Sequence, residues 1–311
     1  MADRSFSLLR LPPGGAYDVV VRTVVVVACL LLEACGGGGG GDADGVAAPA
    51  VASPAPVVPL PGAVPGRTLV WSDEFDVAGL PDPAKWDYDT DRNRLGWYNN
   101  ELQYYSRARL ENSRVEGGKL IITARKESLT AAADFGGQQY TSARMLTRGK
   151  ASWTYGFFEV RAKLPCGAGT WPAIWALGTG GRWPEDGEID IMEQRGNNKT
   201  VILGTIHTRA NNYFNGSLGV GLGSQTTVSD ACTNFHNYQL TWTADKIVIG
   251  VDNVNYFSYP NPGTGDATRW PFDHPQYLIL NLAIGGDLGG TVDNSAFPVQ
   301  LEIDYVRVYR N

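Results

Sequence analysis

The chain has 311 residues, 43% of them hydrophobic and 11% aromatic, which is ample material for a large core. A formal net charge of −6 and the lack of any run of Lys and Arg argue against a nucleic-acid partner. High counts of Gly, Trp and Tyr are typical of many short strands joined by tight turns.

The first 34 residues are predicted to be a signal peptide of the lipoprotein type. Arg22 precedes an apolar run, residues 24–32, which is too short to span a bilayer and is followed by small residues. The sequence Leu32-Glu-Ala-Cys35 resembles a bacterial lipobox, with Cys35 as the lipidated residue and Glu33 as an unusual member. We therefore expect export and a lipid anchor in the cell envelope as the only membrane contact, with ordinary cleavage and secretion as the alternative.

Residues 35–66 are predicted to be a linker. Six glycines, residues 36–41, precede a tract rich in Ala, Pro and Val. Glycine-rich chain is flexible and proline-rich chain is extended, so this composition is typical of a tether without a packed fold.

Two of the four cysteines remain once Cys29 is assigned to the signal peptide and Cys35 to the lipid anchor. A disulfide between Cys166 and Cys232 is the expected arrangement in an oxidising compartment. Two separate buried thiols are the alternative.

From Arg67 to the end, residues 67–311, the pattern predicts one all-β domain. Short segments rich in β-branched and aromatic residues are bounded by Gly, Pro, Asn or Asp. They indicate an antiparallel β-sandwich of two sheets, most simply a jelly roll. In chain order these predicted strands are residues 119–125, 156–163, 238–243, 246–252, 276–282 and 301–309.

The segment Gly187-Glu-Ile-Asp-Ile-Met-Glu193 carries three carboxylates on one predicted strand. Residues two apart share a face, so Glu188 and Asp190 lie opposite the isoleucines between and after them. Glu193 has the wrong parity, and a β-bulge after Asp190 would bring it to the same face. Such a cluster indicates acid–base chemistry; an ordinary acidic strand and a divalent-metal site are the alternatives.

The surrounding sequence resembles glycoside hydrolase family 16, in its laminarinase-like branch. The likeness rests on several blocks that follow one another in the family's order. These blocks are Trp71-Ser-Asp-Glu-Phe75, Asn99-Asn-Glu-Leu-Gln-Tyr-Tyr105, Tyr155-Gly-Phe-Phe-Glu-Val-Arg161, Gly169-Thr-Trp-Pro-Ala-Ile-Trp175, Trp183-Pro-Glu-Asp-Gly-Glu-Ile-Asp-Ile-Met-Glu193, Gly204-Thr-Ile-His207, Leu280-Asn-Leu-Ala-Ile-Gly-Gly286 and Asp304-Tyr-Val-Arg-Val-Tyr309.

The resemblance implies a concanavalin A-like jelly roll with a concave substrate cleft, and a catalytic division of labour among the three acids. Glu188 would be the nucleophile, Glu193 the general acid and then base, and Asp190 the residue that tunes both. The product would retain its β configuration. Substrate contacts are expected from Trp171, Trp175, His207, Asn100 and Asn281, with Trp183 and Arg144 as further candidates and Glu101 as an alternative cleft acid.

No cofactor is expected for catalysis, but the resemblance implies a structural Ca²⁺. Its ligands would be Glu74, the backbone carbonyl of Gly118, and Asp304, with water completing the shell. A simple salt bridge of Glu74 is the alternative.

The resemblance implies a monomeric endo-β-1,3-glucanase acting on β-glucan. The alternatives are a family member for mixed-linkage β-glucan or for agar- or carrageenan-type galactan, and a non-catalytic glucan-binding protein. The three acids argue against the last. Residues 287–290 read Asp-Leu-Gly-Gly, where laminarinases frequently have an aromatic residue.

Overall fold

Short extended segments dominate the computed structural model, which describes residues 66–212 and 222–310. Apart from Gly66, the predicted signal peptide and linker lie outside these residues, so both stay predictions. The strands are β1 (Thr68–Asp73), β2 (Asp87–Tyr88), β3 (Gln103–Tyr105), β4 (Ser113–Val115), β5 (Leu120–Ala124), β6 (Tyr140–Ser142), β7 (Arg144–Leu146), β8 (Gly156–Lys163), β9 (Thr170–Gly178), β10 (Glu188–Arg195), β11 (Asn198–His207), β12 (Leu222–Thr227), β13 (His236–Trp242), β14 (Lys246–Val251), β15 (Val254–Pro260), β16 (Gln276–Ile284) and β17 (Val299–Arg310).

Helical structure is scarce in residues 66–212 and 222–310. One helical turn, α1, spans Gly286–Gly289, and two short 3-10 helices span Tyr98–Asn100 and Asn294–Ala296. None of the helices described is long and apolar enough to cross a membrane.

Two large antiparallel sheets make up the sandwich, as the sequence predicts. Sheet A has the order β15-β14-β13-β8-β17-β5-β4, with β1 also pairing with β17. Sheet B has the order β12-β11-β10-β9-β16-β7-β2. Strands β3 and β6 form a small parallel pair. The predicted all-β sandwich is therefore confirmed.

The core between the sheets follows from the alternation of apolar side chains. On β8, Phe158 and Val160 are buried against Val306 and Val308 of β17. Trp242 of β13 is also fully buried, and its indole nitrogen donates a hydrogen bond of 2.9 Å to the carbonyl of Phe272. The large ring thus fills the core without leaving its polar atom unsatisfied.

Strand β10 contains the bulge that the parity of its acids predicts. Asp190 pairs with Trp175 of β9 and Thr205 of β11, but the next matched residues are Met192 on one side and Glu193 on the other. Ile191 has no partner in either register. The bulge shifts all following residues by one position, and it places Glu193 on the face that Glu188 and Asp190 occupy.

The two cysteines of the domain are free thiols in this structure. Cys166 is exposed in the β8–β9 loop, and the Cys232 thiol donates a hydrogen bond of 3.3 Å to the carbonyl of Pro165, next to Cys166. Burial and the adjoining Cys166 raise the pKa of the Cys232 thiol to about 12. The thiols are therefore neighbours, and the predicted disulfide stays a prediction.

We expect the exported chain to contain the Cys166–Cys232 disulfide. Its formation removes two protons and two electrons from the thiols, with a compartment disulfide such as oxidised glutathione as the acceptor. The disulfide would stabilise the fold by up to about 4 kcal/mol, because closing such a long loop lowers the conformational entropy of the unfolded chain. Non-reducing peptide mapping by mass spectrometry should find the linked peptide pair.

The Cys166→Ser variant is the control for this measurement, because it should yield an unlinked Cys232 peptide. Recovery of two unlinked peptides from the oxidised wild-type protein would contradict the pairing.

Candidate active site

Three carboxylates lie on the outer face of sheet B, called here the cleft face. Asp190 is buried, with 3% of its surface exposed, and Glu188 and Glu193 flank it half-buried. Ile189 and Ile191 point the other way and are fully buried in the core. The alternation therefore separates the acids from the apolar side chains of the same strand.

A glycine sets the entry into this strand. Gly187 has φ +77°, a conformation that side chains with a Cβ rarely adopt. A Cβ at this position would also lie 2.8 Å from the ring of Phe272 and 2.9 Å from Pro271. Both constraints require glycine here, and together they fix where Glu188 begins β10.

Glu188 has an aromatic partner and a neighbouring histidine. The indole nitrogen of Trp183 donates a short hydrogen bond to Glu188 Oε2. Across the strand pair, Glu188 is matched with His207 of β11. The predicted site residue Trp183 therefore lies beside Glu188, and 42% of its surface is exposed to solvent.

His207 contacts the middle acid rather than Glu193. Its Nε2 lies 3.3 Å from Asp190 Oδ2. Burial opposes the charged imidazolium, but Asp190 and the two glutamates outweigh it and raise the pKa of His207 to about 9. Burial and repulsion by both glutamates raise the pKa of Asp190. The charges of these groups are therefore coupled within one small volume.

Glu193 is suited to proton transfer near neutral pH. Burial, with repulsion by Glu188 in addition, raises its pKa to about 7, against the opposing effects of His207 and of a hydrogen bond from Trp171. That bond joins Trp171 Nε1 to Glu193 Oε1 at 2.9 Å. A carboxyl with this pKa is populated in both protonation states at physiological pH, as a residue that is acid and then base requires.

Trp175 and Asn281 come together on the cleft face, as the resemblance implies. Trp175 Nε1 donates to Asn281 Oδ1 at 2.7 Å, and Asn281 Nδ2 donates to the Tyr105 hydroxyl at 3.1 Å. The Arg144 guanidinium lies 4.7 Å above the Trp175 ring and 5.2 Å from that of Trp97. Trp175, Asn281 and Arg144 thus form one contiguous surface, and Trp175 is matched with Asp190 of the acid cluster. Trp171 offers less of it, since only 8% of its surface is exposed.

Glu101 extends this surface. It accepts hydrogen bonds from Gln103 Nε2 at 2.8 Å and from the Tyr105 hydroxyl at 3.2 Å, and burial raises its pKa. Neighbouring Asn100 donates instead to Asp287 at 2.7 Å. Sequence reasoning missed Tyr105 and Asp287 as members of the site. Both lie within or next to quoted blocks, yet no local pattern shows which way they point.

Within the described residues, one cluster has the donor set for a metal: Glu188, Asp190 and His207, whose ligand atoms lie within 4.8 Å of one another. His207 with a pKa raised to about 9 is protonated at neutral pH, and a protonated imidazole is not a metal ligand. The arrangement therefore favours acid–base chemistry over metal binding.

The two carboxylates expected to hold calcium, Glu74 and Asp304, are engaged with arginines, and the predicted contribution of the Gly118 carbonyl stays a prediction. Both oxygens of Glu74 accept from Arg307, at 2.9 and 2.7 Å, and this ion pair lowers the pKa of Glu74. Asp304 accepts from Arg161 at 2.5 Å. Carboxylates neutralised by arginine do not fit a calcium site, and binding would require both ion pairs to open. The salt bridge of Glu74 is the arrangement that the structure contains, and calcium stays a prediction.

Comparisons with known proteins agree with this geometry. The model of glycosyl hydrolases family 16 matches residues 101–307. A β-glucanase of Rhodothermus marinus is 53% identical over 257 residues, which cover 79% of this chain and 86% of that protein.

Among solved structures, the laminarinase of Rhodothermus marinus superimposes with a TM-score of 0.73 at 53% identity, covering 78% of this chain and 97% of that one. SCLam, a non-specific endo-β-1,3(4)-glucanase of family 16, superimposes with a TM-score of 0.77 at 55% identity, covering 80% and 93%. The jelly-roll architecture is thereby confirmed. The chain belongs to glycosyl hydrolases family 16.

Proposed function

We propose that the protein is a retaining, endo-acting hydrolase of β-1,3-glucan. The observation that carries the proposal is the pair Glu188 and Glu193 on one face of β10, with Glu193 set to exchange a proton near neutral pH. The similarity to a laminarinase and to an endo-β-1,3(4)-glucanase supports glucan as the substrate.

The first step is a displacement at the anomeric carbon. A Glu188 oxygen forms a bond to that carbon as the glycosidic C–O bond breaks, and Glu193 gives its proton to the departing oxygen. The result is a covalent glycosyl-enzyme and a shortened chain with a free hydroxyl. Trp183, which donates to Glu188, orients the nucleophile for this attack.

The second step releases the sugar. Glu193, now ionised, takes a proton from water while the water oxygen attacks the same carbon and Glu188 leaves. Two inversions restore the β configuration. Trp171 donates a hydrogen bond to Glu193, and His207 lies against Asp190. These contacts hold the charged groups of the cluster in place during both steps.

Substrate selection is assigned to the surface around Trp175. Its half-buried ring, backed by the Arg144 guanidinium, presents a flat apolar face that suits stacking with a glucosyl ring. Asn281 and Glu101 add polar groups beside it for hydroxyl contacts. Mixed-linkage glucan is the second candidate substrate, since one of the similar structures is a non-specific β-1,3(4)-glucanase.

Glu188→Gln should lower kcat on laminarin by about 10³-fold or more, because an amide cannot act as the nucleophile. Release of reducing sugar is measured on laminarin, lichenan, agarose and carrageenan. The matched control is Glu116→Gln, because Glu116 forms a surface ion pair with Arg114. Proton NMR of the first-formed product should show the β anomer.

Equal release by wild type and Glu188→Gln on every substrate would refute the enzyme, and a first-formed α anomer would refute the retaining mechanism. Preference for agarose or carrageenan over both glucans would move the assignment to galactan.

The pH profile of kcat/KM on laminarin should fall above about pH 7. Glu193 must be protonated to act as the acid, and its protonated fraction declines as pH rises through its pKa of about 7. In His207→Gln the nearby positive charge that lowers this pKa is removed. The alkaline limb should therefore move to higher pH, with a fall in kcat of about tenfold or more from lost alignment.

His236→Gln is the matched control, because His236 lies on sheet A between Asp230 and Asp252. An alkaline limb that is the same in wild type and His207→Gln would contradict the assignment of Glu193.

The anchor is proposed from the sequence: Cys35 is lipidated and holds the enzyme at the cell envelope, with ordinary secretion as the alternative. In labelled cells, Cys35→Ser should lose palmitate label and appear in the soluble exported fraction. Cys29→Ser, within the predicted signal peptide, should keep both label and membrane association. A wild-type chain without label would favour simple secretion.

A further inference from the structure

The bulge in β10 leaves Ile191 without a matched residue in either neighbouring strand. Ile191 is matched with no residue of β9 or β11, and its side chain is fully buried. Buried carbonyl groups are costly when they accept no hydrogen bond. A hydrogen bond to the Ile191 carbonyl from outside the ladder would therefore stabilise a bulge at this position.

The partner comes from the opposite sheet. The hydroxyl of Tyr256, on β15, donates a long hydrogen bond to the carbonyl oxygen of Ile191, with 3.5 Å between the two oxygens. The Tyr256 ring packs against the core. Burial, together with the nearby charges of Glu193 and Asp190, raises the pKa of its hydroxyl. The side chain thus spans the sandwich from sheet A and ends at the bulge of sheet B.

A second bulge aims this side chain inward. On β15, Phe257 is matched with Ile249 and Asn255 with Gly250, so Tyr256 is the extra residue between them. Tyr256 and Phe257 both pack against the core, which a regular strand would not allow for two consecutive residues. The bulge in β15 therefore directs Tyr256 inward, and the Tyr256 hydroxyl contacts the bulge in β10.

Gly204 of β11 keeps the path open. It lies opposite the bulge, between the matched pairs Asp190–Thr205 and Glu193–Leu203. A Cβ on Gly204 would lie 2.8 Å from the Tyr256 hydroxyl and 2.9 Å from Ile249 Cγ2. The φ of Gly204 is not in the left-handed region, so its backbone conformation does not itself require glycine. Glycine is needed here because a side chain would not fit. The absent side chain is what lets the hydroxyl reach Ile191.

We infer that Tyr256 is a positioning residue for the hydrolysis: by bonding the Ile191 carbonyl, its hydroxyl holds the β10 bulge and so keeps Glu193 on the cleft face. Tyr256 reaches the site from the core side and acts through the backbone of β10. The inference rests on the proposed function, since it presumes Glu193 as the acid and base.

The two glutamates depend on Tyr256 to different degrees. Glu188 and Asp190 precede the bulge, so their register does not change if the bulge relaxes. Glu193 follows the bulge, so a return of β10 to a regular register would turn the Glu193 side chain toward the core. Weakening the bulge should therefore impair proton donation and spare nucleophilic attack.

The test is Tyr256→Phe against Tyr259→Phe. Tyr259 lies on the same strand, and its hydroxyl donates to the Arg269 carbonyl at 2.8 Å on the exposed side. Both changes remove one hydroxyl-to-carbonyl hydrogen bond. The substrates are aryl β-laminaribiosides whose phenol leaving groups range from 2,4-dinitrophenol to unsubstituted phenol, together with laminarin.

For Tyr256→Phe we expect kcat/KM to fall about tenfold or more on laminarin and on the phenyl glycoside, which need an acid. On the dinitrophenyl glycoside, whose leaving group needs no proton, it should stay within about twofold of wild type. Tyr259→Phe should match wild type on every substrate. Gly204→Ala, which displaces the hydroxyl, should show the same leaving-group dependence as Tyr256→Phe.

The inference is overturned if Tyr256→Phe loses activity equally on all leaving groups, or if it matches Tyr259→Phe throughout. Wild-type hydrolysis and its loss in Glu188→Gln are measured in the same series. An active wild type with unaltered Tyr256→Phe would refute the role of Tyr256 alone, whereas an inactive wild type would refute the proposed function.

Discussion

The active site depends on one interrupted alternation. Side chains of a strand point to opposite faces with a period of two, so acids five residues apart belong on opposite faces of β10. The extra residue at the bulge removes that conflict and places Glu188, Asp190 and Glu193 on the cleft face, with Ile189 and Ile191 in the core. Part of the core and the acid cluster of the candidate site are therefore built from the same eight-residue strand.

Placing three acids together has an electrostatic cost, and the neighbouring strands and loops supply the groups that lower it. Trp183 donates to Glu188, Trp171 donates to Glu193, and His207 lies against Asp190. Each acid therefore has a different partner, and each partner comes from a different segment of the chain. Burial then raises the pKa of Glu193 to about 7, where both of its protonation states are populated near neutral pH.

The surface around Trp175 is also held together by contacts between its own groups. Its residues come from segments far apart in the chain, and they are joined by hydrogen bonds from Trp175 through Asn281 and Tyr105 to Glu101. Arg144 supports the Trp175 ring from the adjoining strand β7. Groups that are bonded to one another in this way lose little further freedom when a sugar chain binds, which favours a defined position for the scissile bond.

Much of this molecule is determined by local sequence. Short apolar and aromatic segments between turn residues determined an all-β sandwich, and the motifs around Glu188 determined the family. Even the bulge follows from parity, because Glu188 and Glu193 cannot share a face without it. The alternation of a single strand is a local property, so one strand's residues suffice to read it.

The partners of those residues were decided by the tertiary structure. Strand order matched Glu188 with His207 and brought that histidine to Asp190, a contact that the predicted substrate role of His207 did not include. It paired Glu74 with Arg307, which lies far along the chain and occupies both oxygens of a carboxylate expected to bind calcium. It also carried Tyr256 across the core to Ile191. A sequence pattern shows which face a side chain occupies, but the group that it meets there depends on which strands are neighbours and how the two sheets stack.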